Sequence, residues 1–245
     1  MIVPTIDARG VSVRFGRGAG RVDALKDVDL TLFGGQLTLL MGPSGSGKTT
    51  LLSVLGCMLR PTAGTVEVCG HTTAGAGPER LAALRRDHIG FVFQSYHLFP
   101  TLSALDNVRL ALDVRGNGSR RAEKEAKDTL DIVGLSQKMN AYPHELSGGE
   151  QQRVAIARAI VADPVALLAD EPTAALDGDS GHGVMTILAG IARDPSRAVL
   201  VVTHDPRIVP FADRILHIED GRITADESPA YEELRSPDFA DSRYA

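Results

Sequence analysis

Apolar and polar residues roughly alternate from Ile6 to Phe15 and again from Val28 to Leu32, and Thr65 to Val68 repeats the habit after the turn-rich Arg60-Pro61-Thr62-Ala63-Gly64. Alternation with a period of two marks strands with one covered face, so these segments predict an antiparallel sheet. Three further runs are almost continuously apolar: Leu37 to Met41, Val165 to Ala169 and Ala198 to Val202. Strands buried on both faces of a parallel sheet read this way. The pattern as a whole predicts an α/β core with an antiparallel β subdomain.

About 120 residues separate the first two buried runs, far more than one crossover needs, and much of that stretch is charged and helical in character. A helical subdomain inserted at about residues 95–160 follows. Within it, the segment from Ser119 to Val133 carries Glu123 and Lys127 at i, i+4, with Ser119 placed to cap, and reads as a solvated helix face. Near the end, Ile215 to Ile218 and Arg222 to Thr224 flank Asp220-Gly221 and predict a hairpin. Residues 1–225 thus form one domain, and 226–245 a polar tail expected to be a short helix or loose extension.

Between the run ending at Met41 and the apolar Leu51 to Leu55 lies Gly42-Pro43-Ser44-Gly45-Ser46-Gly47-Lys48-Thr49-Thr50, which matches a phosphate-binding P-loop. Glycines let the backbone curl so that successive N–H groups face phosphate oxygens, and the helix that follows adds its positive end. In this chemistry Lys48 reaches the β- and γ-phosphates and Thr49 holds Mg²⁺. A second buried strand should then end in a magnesium-binding carboxylate, and Asp170 stands there. Glu171, beside it, is the candidate general base for an attacking water. His204 follows the third buried run, at the strand end that faces the ligand crevice of an open sheet, and is a candidate γ-phosphate contact. Gln94 follows the apolar Ile89 to Phe93 and is a candidate for sensing metal or water geometry, making it a third metal candidate beside Thr49 and Asp170. Leu146-Ser147-Gly148-Gly149-Glu150 opens a helical run from Gln151 and offers a second phosphate-facing helix start.

Composition narrows the partners. At 245 residues and 43% hydrophobic content the chain buries a sizeable core, and its net charge of −5 argues against binding nucleic acid by phosphate neutralisation. The two cysteines, Cys57 and Cys69, sit in apolar segments without metal-ligand spacing and read as small core residues. Neither a secretion signal nor an 18-residue apolar window is present, so a cytoplasmic location is expected.

In order along the chain, the P-loop, Gln94, Leu146 to Glu150, Asp170-Glu171, Ala175-Leu176-Asp177 and His204 resemble the ATP-binding subunit of an ABC transporter, over roughly residues 5–224. The resemblance implies a P-loop NTPase (RecA-like) core and two copies closing head to tail over ATP and Mg²⁺. Ser147, Gly148 and Gly149 of one copy would then cap the γ-phosphate held by Lys48 of the other. Glu150 and Asp177 belong with them among the nucleotide-contacting positions. Phe15, 33 residues before Lys48, matches the family's adenine-stacking aromatic, where tyrosine is common. Ala174 or Ala175 stands where the family's dimer-contact loop carries serine or glycine, which leaves Asp177 intact.

Phe93 to Pro100 and Asp106-Asn107-Val108 are similar to subunits of lipoprotein-releasing and macrolide-efflux exporters. The Asp170 to Asp177 and Ala212 to Ile215 segments are similar to the heterocyst-glycolipid exporter branch. This subgroup implies a membrane permease of four helices with a large periplasmic domain, often joined to a periplasmic adaptor, with Tyr96 to Leu105 near its coupling element. The subunit would lie peripherally on the inner face of the plasma membrane. Two alternatives stay open at this level: an importer subunit for small solutes, and a soluble relative acting on nucleic acid or ribosomes.

Overall fold

The computed structural model describes residues 3–16, 18–116 and 120–228. The largest sheet is built from β3 (Gln36–Met41), β6 (Ile89–Val92), β7 (Ala166–Asp170), β8 (Ala198–Thr203), β9 (Arg214–Glu219) and β10 (Arg222–Glu227). Its order is β10-β9-β3-β8-β7-β6. Five strands run parallel and only β10 returns antiparallel, around the expected Asp220-Gly221 turn. The second sheet, order β2-β1-β4-β5, is antiparallel and comprises β1 (Ile6–Phe15), β2 (Val22–Leu32), β4 (Ala63–Val68) and β5 (His71–Thr72).

The apolar runs divide by parity, as the two-residue period of a strand requires. Leu37, Leu39, Leu167, Ala169, Val199 and Val201 face one core, which they share with α3 (Ala104–Val114), α4 (Arg120–Ile132), α5 (Gly148–Ile160) and α6 (Gly178–Ala192). Leu40, Ala166, Leu168, Ala198, Leu200 and Val202 face the other, against α1 (Lys48–Leu55), α2 (Pro78–His88) and the antiparallel sheet. Both faces of the large sheet are therefore covered, which is why its strands lack alternation. Leu40 and Leu200 are wholly buried, and truncating either to Ala costs about 2–5 kcal/mol.

The inserted helices α3, α4 and α5 pack on one another beside β6. In α4, Lys127 and Glu123 pair at 2.6 Å on the exposed face, while Ser119 lies outside the described residues. Two expectations shift. β2 begins at Val22 rather than Val28, because Asp27 sits at φ +56° and register breaks interrupt the alternation. β10 reaches Glu227, so Asp226, expected to open the tail, is strand: its carboxylate takes two hydrogen bonds, of 2.7 and 2.6 Å, from Arg214. Residues 229–245 of that tail lie outside the described residues. Cys57 is buried and Cys69 half-buried, both as free thiols against the second core.

Candidate functional site

Parallel strands deliver their C-terminal ends to one edge of the sheet, and four of them converge here. β3 leads into the 42–47 loop, β6 into Gln94, β7 ends at Asp170 before Glu171, and β8 ends just before His204. A cavity of about 790 Å³ at that edge is lined by Pro43, Ser44, Gly45, Gly47, Lys48, Thr49, Thr50, Gln94, Glu171 and His204.

The loop turns tightly before α1. Gly45 and Gly47 have φ of +79° and +105°, and a Cβ on Gly47 would stand 2.6 Å from the Ala24 carbonyl oxygen. A Cβ on Gly42 would stand 2.1 Å from the Ile218 carbonyl oxygen. Only glycine fits at these points, so the backbone is free to curl round an anion. The buried Lys48 ammonium donates to the carbonyls of Gly42 and Pro43 at 2.7 and 2.8 Å, which holds its charge against the loop.

Thr49 Oγ1 lies 3.5 Å from Asp170 Oδ1. Burial pushes the Asp170 carboxyl above the usual carboxylate range; the Thr49 hydroxyl opposes this, the neighbouring Glu171 charge adds to it, and Lys48 opposes it. Glu171 occupies the left-handed region at φ +47°, with its N–H donating to the Val202 carbonyl at 2.9 Å. Its largely buried carboxylate Oε1 meets His204 Nδ1 at 2.7 Å, while the His204 ring is two-thirds exposed. The bond exists because β7 and β8 are neighbours in register, Asp170 beside Val202.

The remaining candidates lie elsewhere. Phe15 is 45% exposed at the end of β1, so it is not a core residue, and its cross-strand partner Val22 lines the cavity. Ser147, Gly148, Gly149 and Glu150 form the N-terminus of α5, where Ser147 and Glu150 make a reciprocal capping box, and none of the four lines the cavity. Asp177 caps α6, accepting from the Ser180 N–H at 2.9 Å, and likewise stands apart from the cavity.

Sequence reasoning missed the other wall. Val22, Asp23, Ala24, Asp220 and Gly221 also line the cavity, with the β9–β10 turn tied across to β2 by the Lys26 to Asp220 ion pair at 2.6 Å and by Lys26 N–H to Gly221 O at 2.8 Å. Asp220-Gly221 signals only a turn, and nothing in the chain says what that turn covers. Two side chains of α5 also carry no signal in the sequence beyond helix. Arg158 donates to the carbonyls of Tyr96, at 2.8 Å, and His97, at 2.5 Å, both residues in left-handed conformation just after Gln94. Gln152 donates to Pro172 O at 2.8 Å.

A family model described as ABC transporter matches residues 25–174. The chain is 43% identical over 223 residues to the lipoprotein-releasing system ATP-binding protein LolD of Bordetella pertussis, covering 91% of this chain and 96% of that protein. It is 42% identical over 239 residues to the macrolide export ATP-binding/permease protein MacB of Rhodopseudomonas palustris, covering 98% of this chain but 36% of that longer protein. Among solved structures, the ATP-binding cassette MJ0796, dimeric in a post-hydrolysis state with ADP and Pi, superposes with a TM-score of 0.84 at 38% identity, covering 94% of this chain and 99% of that one.

Proposed function

The chain belongs to the ABC transporter family as an ATP-hydrolysing subunit, and from that premise we propose that it powers an exporter of the lipoprotein-releasing or macrolide type through ATP-driven, head-to-tail closure of two copies. One observation carries this reading: Lys48, Thr49, Gln94, Glu171 and His204 gather round one cavity, while Ser147 to Gly149 of the same chain lie outside it. A second copy turned head to tail supplies that missing wall, and the exposed helix start at Ser147 offers an anion its N–H groups.

The hard oxygen donors Thr49 Oγ1 and the half-buried Asp170 suit magnesium, and they stand 3.5 Å apart. Mg²⁺, when bound there with Gln94 nearby, would neutralise charge on the β- and γ-phosphates. The chain does the rest by position. The 42–47 loop and Lys48 orient the triphosphate, Phe15 offers the adenine a π-face, and Glu171 orients water for in-line attack. His204, held by Glu171, is directed at the transferred phosphoryl group.

Homologues named for export imply a membrane permease as partner. Among the described residues no helix is long and apolar enough to cross a membrane. We place the permease contact at a second cavity of about 790 Å³, with Phe91, Phe93, Phe99, Leu110 and Val114 among its lining residues. It adjoins the Tyr96 to Leu105 segment, so a movement of Gln94 reaches the docked element. We assign the permease to the four-helix class with a periplasmic domain, which places this subunit on the inner membrane face.

Glu171→Gln tests the chemistry. Light scattering should find a monomer without nucleotide and a stable dimer with ATP and Mg²⁺, with turnover lost. Rapid turnover, or a monomer at saturating ATP, would sink the reading.

A further inference from the structure

We propose that Gln152, on the second turn of α5, is a positioning residue for hydrolysis: its side-chain amide holds the turn that presents the Glu171 carboxylate. Gln152 is completely buried, and α5 surrounds it with the equally buried Val154, Ala155 and Ile156. Its Nε2 donates to Pro172 O at 2.8 Å, and its Oε1 is buried with no described partner. A buried amide with one half unsatisfied gains little for the core: methionine or leucine would give up the bond to Pro172 O but would also remove the unpaired Oε1. Stability is therefore a poor reason for a glutamine at this point.

The geometry gives a better one. Glu171 is a non-glycine residue at φ +47°, a conformation that persists only when its surroundings over-determine it. Before the residue, its N–H is fixed on Val202 O at 2.9 Å. After it comes Pro172, which has no N–H with which to anchor itself, and no described backbone N–H donates to its carbonyl. Gln152 supplies that anchor, and the Glu171 carbonyl accepts from Ala174 N at 3.2 Å. The strained residue is thus clamped on both sides, and the clamp aims its carboxylate at His204 Nδ1. Because Gln152 lies on the helix opened by Ser147, one rigid element carries both the surface offered to a second copy and the brace of the local Glu171.

This inference rests on Glu171 acting on water, and the experiment separates the two. In the full chain, with ATP and Mg²⁺ as the probe, Gln152→Met and Gln152→Leu are compared with wild type, Glu171→Gln and the Gln152→Met/Glu171→Gln double variant. We expect kcat to fall about tenfold or more, as small misplacements of a reacting group do. KM, equilibrium ATP affinity and the unfolding temperature should hold, the last because losing the bond to Pro172 O is offset by removing the unpaired Oε1. On the Glu171→Gln background, adding Gln152→Met should change the residual single-turnover rate less than about twofold, since Gln152 acts through the carboxylate. An unchanged kcat, a loss that multiplies fully on the Glu171→Gln background, a loss that tracks a lowered unfolding temperature, or failure of both variants to fold would each overturn the proposal. Normal turnover by Glu171→Gln itself would instead overturn the reading beneath it.

Discussion

Asn107, at the end of the first turn of α3, is fully buried and makes four side-chain hydrogen bonds to the turn before that helix. Its Oδ1 accepts from Phe99 N–H at 2.8 Å, and its Nδ2 donates to the carbonyls of Phe99, Leu102 and Ser103 at 3.1, 3.0 and 3.0 Å. Two of those carbonyls keep another donor when Asn107 is removed: Phe99 O retains Leu102 N–H, and Ser103 O retains Asn107 N–H itself. Asn107→Ala therefore orphans two groups, Phe99 N–H and Leu102 O. At about 1–3 kcal/mol for each buried group left unmade, and with water reaching part of the turn, the expected loss is roughly 2–4 kcal/mol in urea unfolding. Asn107→Asp should be no better, although it is isosteric and keeps the bond from Phe99 N–H, because its second oxygen would face three carbonyl oxygens. The turn also carries the exposed Phe99 of the proposed permease groove, so transport should fail before basal hydrolysis does. A loss below about 1 kcal/mol for Ala, or an Asp variant as stable as wild type, would refute this account of the turn.

Gly47→Ala should abolish detectable ATP binding by calorimetry, because φ of +105° and a 2.6 Å approach to Ala24 O force the loop open; unaltered affinity would contradict the cradle. Asp226 is held below its usual range chiefly by hydrogen bonds from Arg214. A depressed pKa contributes stability above the unfolded value of 3.8 that is lost as pH falls through the folded value. Acid titration of Asp226→Asn should therefore show a shallower fall below pH 4, by no more than about 1 kcal/mol since the group is half exposed. Burial pushes the Cys57 thiol up to about 11 from 9.0. Its neutral form then favours folding below pH 9 and the benefit disappears as pH rises through 11. Iodoacetamide at pH 8 should alkylate Cys57 only in denaturant, and equal labelling of the native chain would show the site to be open.

β3, β7 and β8 of the large sheet were legible because burial on both faces leaves an unbroken apolar run, and candidate residues could be marked where such a strand end meets a polar residue, as at Asp170 and His204. Proximity was not. Glu171 and His204 meet only because β7 and β8 are adjacent, a pairing that no local pattern records. The hairpin turn at Asp220 was readable as a turn, but its place over Ala24 follows from β9 joining β3, a long-range choice. Gln152 and Arg158 carried no signal because glutamine and arginine are ordinary on a helix, and their burial against Pro172, Tyr96 and His97 appears only in three dimensions. The start of β2 escaped because bulges near Asp27 break the alternation on which strand reading depends.

The claim that this ATPase drives an exporter is tested most directly by capturing tagged Glu171→Gln protein, with ATP and Mg²⁺, from detergent-solubilised membranes of its own cells. The account predicts co-elution of a four-helix permease with a periplasmic domain, dependent on nucleotide and lost when Phe99 is replaced by Asp. Recovery of an importer permease, or of soluble and ribosomal partners alone, would contradict it.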